Sequence, residues 1–231
     1  MSAGGAGDGR SSQRLAGACG LIFVALTAAP LLIAPPAPPA GAAVTDVIAY
    51  YTDHRAALLF SGWLAALAIV PSFVFLARIV ALVRELEDDP AWLWLVALVG
   101  LIGTVASVIA LTVLAAVLAY SAASAGTGVA RVLSDLLGIT FAVYFFPVSV
   151  FFVAVGRVVT MSRGLPRWLG VSAYLVAAAG VPATLGMFAG WSPLAPGGVY
   201  TLAAFSLQVL WWFAASLVLL LRPAAPRIAL A

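Results

Sequence analysis

The sequence predicts an all-α fold: a polytopic membrane helix bundle with six transmembrane helices. Three observations carry this. Of the 231 residues, 65% are hydrophobic and 8% charged, with a mean hydropathy of +1.16, whereas a soluble domain is about 45–50% apolar and about 25% charged. The apolar residues fall into six runs, 15–34, 56–83, 92–120, 129–155, 168–191 and 199–221, each long enough for the roughly 20 residues that cross about 30 Å of hydrocarbon. All the charges but Arg78, Arg131 and Asp135 lie outside these runs, as the cost of charge in lipid favours.

The charge balance excludes one large class. The net charge is +3 and all 11 basic residues are arginine, but they stand singly near the ends of the runs. A nucleic-acid binder would collect them on one face among polar and aromatic neighbours, so no nucleic-acid partner is expected. The single cysteine, Cys19, permits no intrachain disulfide and reads as a small packing residue.

Residues 1–13, rich in Gly, Ser and Ala, cannot bury a core and are expected to form a disordered cytoplasmic N-terminus. The first run, 15–34, follows Arg10 and Arg14. A basic start before an apolar run also describes a signal peptide, but signal cores span about 7–15 residues, so a retained helix is the favoured reading. The proline-rich connection after it favours extended backbone. Tyr50 and Tyr51 suit the headgroup zone, where residues 44–51 are expected to form a short interfacial turn.

The second run, 56–83, contains Pro71, which should kink it unless neighbours re-satisfy the freed carbonyl, and Arg78, whose stem can snorkel outward. A dense charge cluster, Arg84-Glu85-Leu86-Glu87-Asp88-Asp89-Pro90, reads as a solvated helix end and turn, with Asp88 and Asp89 placed to favour the next helix N-terminus. In the third run, Gly100, Gly103, Thr104 and Ser107 recur at three- and four-residue steps. Such stripes let helix backbones approach closely in lipid, and Gly100, Gly103 and Ser107 are assigned to helix packing.

The fourth run carries Arg131 and Asp135 at i,i+4 spacing, then an aromatic stretch around Pro147. A basic loop, 156–170, holds Arg157, Arg163 and Arg167. The fifth run contains Pro182, a turn rich in Pro and Gly follows, and the sixth run leads to a cytoplasmic tail at 223–231. A faint internal echo, Pro90-Ala91-Trp92-Leu93 against Pro166-Arg167-Trp168-Leu169, is explained as well by shared interface requirements as by duplication.

With six spans both termini share a side. That side holds Arg10, Arg14, Arg78, Arg84, Arg157, Arg163, Arg167, Arg222 and Arg227, and the other side holds Arg55 and Arg131. The bias places both termini in the cytoplasm of a cell whose inner membrane the chain spans several times.

Little in the sequence carries chemistry. One histidine and one cysteine supply no zinc or haem set, and no phosphate loop or nucleophile elbow occurs, so no cofactor and no metal is expected and the chain is read as not an enzyme. Polar groups inside spans are functional candidates by default. Arg131, Asp135 and Gln208 are the candidate intramembrane polar sites. Asp53 and His54 form a candidate outer-face site, where an acid and an imidazole could hold a headgroup. For each, a structural role outweighs the functional one: an ion pair for Arg131 and Asp135, and for Gln208 a bond to a nearby tryptophan or a neighbouring helix.

The run Leu165-Pro166-Arg167-Trp168-Leu169-Gly170, together with Arg14-Leu15-Ala16-Gly17 opening the first span, resembles the bacterial multi-span membrane proteins of domain of unknown function 4386. The resemblance covers residues 14–222 and implies a membrane bundle without assigned activity or site residues. The lysine-free, Ala- and Arg-rich composition looks like that of a high-GC bacterium. The leading expectation is a non-enzymatic membrane component or accessory subunit whose partners are the bilayer and another membrane protein or a second copy. The alternative is a small carrier of an apolar or weakly polar solute. A membrane enzyme at the outer face is third.

Overall fold

The computed structural model describes residues 5–35, 37–38, 41–87, 92–124, 126–162, 164–188 and 193–221. Seven α-helices follow in order: α1 (Gly5–Ile33), α2 (Val44–Asp53), α3 (Arg55–Leu86), α4 (Leu93–Ser121), α5 (Thr127–Met161), α6 (Arg167–Thr184) and α7 (Val199–Leu221), with a 3-10 turn at Leu185–Phe188 after α6. All but α2 are long and apolar enough to cross a membrane. The chain is an all-α, six-span, multi-pass membrane protein.

The six long helices close into a ring. α1 packs between α7 and α3, α4 between α3 and α5, and α6 between α5 and α7. Inside the ring, Phe23, Phe75, Phe145, Phe152, Trp211 and Trp212 are all buried. Their rings meet edge to face or tilted: Phe152 and Trp211 at 4.9 Å, Phe23 and Trp212 at 4.7 Å, the arrangement aromatic quadrupoles prefer. Large aliphatic residues such as Val99, Ile102 and Leu210 point outward, where lipid tails receive them as readily as a core would.

Polar ends lengthen the helices beyond the apolar runs. Residues 5–13, expected to be disordered, lie within α1. The apolar helix supplies the costly nucleus, each further turn adds a backbone bond per residue, and Gln13 ties that end down by donating its amide Nε2 to the Leu219 carbonyl at 3.1 Å. α5 likewise runs to Met161 and α6 resumes at Arg167, so the basic connection shrinks from 156–170 to 162–166, and Arg157 and Arg167 belong to helices. Arg163, Asp88, Asp89, Trp191 and the tail 223–231 lie outside the described residues.

α2 is a full helix where the sequence pattern suggests only a turn. Its buried residues are Val47 and Tyr51, which pack with Ala42, Leu118, Ala119 and Ala122 into a second cluster at the ring end remote from the termini. Burial pushes the Tyr51 hydroxyl up to about 12, with the adjacent Tyr50 adding to the shift. The Tyr50 hydroxyl donates to the Pro35 carbonyl at 2.7 Å, which ties Pro35 to this helix.

Candidate functional site

The inward face of α7 is a stripe of Ala204, Gln208, Trp211, Trp212, Ala215 and Leu219. The three- and four-residue steps are those of one helix face. Gln208 is wholly buried, and its Nε2 donates to the Tyr144 hydroxyl of α5 at 2.5 Å. Tyr144 is buried too and lies among Phe141, Phe145 and Phe205. The bond thus crosses the interior of the ring between two helices that do not adjoin along it, at the mid-depth of the bundle.

Not every polar atom there is served. Among the described residues, Gln208 Oε1 and Trp212 Nε1 are buried without a hydrogen-bond partner. They sit four residues apart on one helix, an acceptor and a donor, and an unmet buried group of either kind is unfavourable by about 1–3 kcal/mol. Trp211, by contrast, donates Nε1 to the Leu169 carbonyl of α6 at 2.9 Å. Thr201, one heptad before Gln208, is fully buried but turns to the connection before α7, donating to the Ala195 and Gly198 carbonyls at 3.1 and 2.9 Å.

A second polar seam joins α6 to its neighbours near Pro182. Pro182 lacks an N–H, which frees the Ala178 carbonyl of the helix ladder; the carbonyls on either side of it take donors from outside the helix on their second lone pairs. Ser149 of α5 donates to the Ala177 carbonyl at 3.2 Å, and Tyr200 of α7 to the Ala179 carbonyl at 3.1 Å. Gly180 leaves room for Ser149: a Cβ there would lie 2.5 Å from its hydroxyl.

The other sequence candidates separate. Arg131 Nε donates to Asp135 at 3.1 Å, but the two side chains are 45% and 55% exposed, and Arg131 also donates to the Ala42 carbonyl beside α2 at 3.2 Å. The ion pair expected of these two residues thus forms, near the start of α5. α5 has 35 residues, about 52 Å of helix against about 30 Å of hydrocarbon, so its first turns can stand at the headgroups. Asp53 is exposed, and His54 is half-buried at the junction of α2 and α3. The His54 Nδ1 atom lies 3.0 Å from the Tyr50 carbonyl oxygen and the imidazole packs on the Tyr50 ring. Neither residue is brought to Gln208.

The small-residue stripe of α4 is occupied within the chain. A Cβ on Gly100 would lie 2.7 Å from the Phe151 backbone nitrogen and 2.9 Å from the Pro147 carbonyl oxygen, and one on Gly103 would lie 2.8 Å from the Pro147 ring. Ser107 returns its hydroxyl to the Gly103 carbonyl at 2.9 Å. The stripe seats the proline-bearing turn of α5 and is covered there. Gly156 and Gly170 do the same for α5 and α6: a Cβ on Gly170 would lie 2.8 Å from the Thr160 backbone nitrogen.

Two residues with site roles are not evident from the sequence pattern. Tyr144 reads there as one of several aromatics on the fourth run, and nothing in the spacing matches it to Gln208, 64 residues away. Glu87 reads as part of a solvated turn, yet its carboxylate accepts from the Trp92, Leu93 and Trp94 backbone amides at 2.9, 2.6 and 3.1 Å, meeting the free donors of the α4 N-terminus. An acid five residues before the first free amide is the available signal. Among the described residues, no three His, Cys, Asp or Glu side chains group as metal ligands do. No family model, curated protein or solved structure matches the chain.

Proposed function

We propose that the chain is a non-enzymatic component of a bacterial inner membrane, an accessory subunit that acts through helix contacts. The observation that supports this is the use made of Gln208: the most polar side chain at mid-span is fully covered and joined to Tyr144, inside a ring filled by aromatic side chains. What the molecule offers to others is its outer surface, above all α4, the least buried of its spans. The arginine bias supports a cytoplasmic side for both termini and the connection 162–166, and the run Leu165–Gly170 supports grouping the chain with domain of unknown function 4386.

A photo-crosslinking residue at Val99 or Val113, 66% and 54% exposed on α4, tests this reading in native membranes. The expected result is a discrete adduct with another membrane protein or a second copy. Crosslinks to lipid alone along the whole of α4 would contradict it.

A second reading, a small carrier, is favoured by one observation. Gln208 Oε1 and Trp212 Nε1 offer an unmet acceptor and donor one turn apart, which a weakly polar solute carrying both functions could satisfy. Under that reading Tyr144 would release the amide as the solute entered.

A further inference from the structure

Between α3 and α4 the ring is open on its lipid side. A groove of about 960 Å³ lies there, bounded by Phe73 and Ile109 at one end and by Arg84, Glu85 and Trp94 at the other. Its remaining lining is apolar, with Ala77, Ala81 and Ala106 making the space. The polar end is beside the turn that joins the two helices, on the side of the membrane that holds the termini.

Its dimensions match one leaflet. Phe73 to Glu85 is about 18 Å of helix rise, and half the hydrocarbon thickness is about 15 Å. A chain lying in the groove would start at the headgroups and finish near the midplane.

The rim carries one cation and one anion. Arg84 stacks over the Trp94 ring at 5.1 Å, and the ion pairs among the described residues are Arg78–Glu85 and Arg131–Asp135, so among those residues the donors of Arg84 are left for a planar, bidentate oxyanion contact. Both Glu85 oxygens accept from Arg78, at 2.7 and 3.3 Å, and each keeps a lone pair for a further donor. Glu87 does not compete, being turned onto the α4 amides. A phosphate diester ending in a primary ammonium complements this pair: phosphate on Arg84, ammonium on Glu85.

We propose that the α3–α4 groove binds one ethanolamine phospholipid, with an acyl chain along the alanines and the headgroup across Arg84 and Glu85. The site is independent of the role proposed for Gln208.

The test is native mass spectrometry of the purified full-length chain from micelles holding equal phosphatidylethanolamine and phosphatidylcholine with identical acyl chains. The choline ammonium is methylated and has no N–H to give. The expected result is one lipid per chain, with ethanolamine lipid retained about fivefold or more over choline lipid, and a preference lost in Glu85→Gln. Arg84→Gln should lower total occupancy about tenfold, the scale of one charge-assisted contact. Ala77→Phe and Ala106→Phe fill the groove from opposite helices at exposed positions and should each empty it while the thermal midpoint holds. Equal retention of the two lipids would overturn the headgroup assignment. Unchanged occupancy in Arg84→Gln and in whichever phenylalanine variant folds would overturn the site. A lipid-free dimer that Ala106→Phe dissociates would assign the groove to a second copy instead.

Discussion

The Gln208 amide donates to the Tyr144 hydroxyl at 2.5 Å across the interior of the helix ring. The two side chains come from α7 and α5, which are not neighbours along the ring, so this bond acts as a strut rather than as part of a pairwise helix interface. Membrane hydrogen bonds between side chains average about 0.6 kcal/mol, but the asymmetry of removal is larger. Tyr144→Phe strands a whole buried amide and should destabilise the bundle by about 1–3 kcal/mol. Adding Gln208→Leu should recover part of that loss, because no polar group is then left unmet. Denaturation of the three proteins in detergent checks the order, and a double variant weaker than Tyr144→Phe would refute it.

The close approach of α4 to α5 predicts a position-dependent glycine effect. Gly100→Ala places a Cβ against backbone atoms that cannot give way without moving α5, and overpacking of this kind is unfavourable by about 1–3 kcal/mol. At Gly62, in α3, an added methyl group would meet nothing within 4 Å, so Gly62→Ala should be neutral or stabilising by about 0.5–1 kcal/mol through helix propensity. The thermal midpoint should fall in Gly100→Ala and hold or rise in Gly62→Ala.

Glu87 connects the end of α3 to the start of α4 through three backbone amides. Glu87→Ala should lower stability by about 1–2 kcal/mol, as loss of an N-terminal cap does. Glu87→Gln, which retains an acceptor but loses the charge favoured at a helix N-terminus, should fall between. Hydrogen exchange of the first turn of α4 reads the local effect directly.

α2 supplies a pH dependence. The folded Tyr51 hydroxyl titrates near 12 against an ordinary 10.0, so the folded chain holds its proton longer than the unfolded one. The stabilising contribution is complete below pH 10 and is lost as the pH rises toward 12. Docking of α2, followed by a fluorophore on that helix, should loosen across this window, and Tyr51→Phe should remove the Tyr51 contribution.

Most of the architecture is legible in the sequence because lipid imposes a simple rule: a span is a long apolar run, and each of the six runs forms a helix. Helix ends are less legible. The polar residues 5–13 continue α1 because Gln13 finds the Leu219 carbonyl, a contact between opposite ends of the chain that hydropathy does not encode. The Gly100–Gly103 stripe announces a close crossing, but its partner, Pro147 on α5, reads in sequence only as a kink. Gln208 stands out by polarity. Tyr144 does not, since an aromatic among aromatics gives no sign of where its hydroxyl points. Arg131 and Asp135 are legible as an i,i+4 pair, and the pair forms; its depth is not legible, because distance along a run is not depth in the bilayer.

Under the proposed function Gln208 and Tyr144 hold the ring together rather than admit a solute, and solute flux tests this most directly. Proteoliposomes of the wild-type chain and of Gln208→Leu, challenged osmotically with small weakly polar solutes, should both match protein-free vesicles. Wild-type flux above that baseline, abolished by Gln208→Leu in a protein that still folds, would contradict a purely structural role for Gln208 and make the chain a carrier instead.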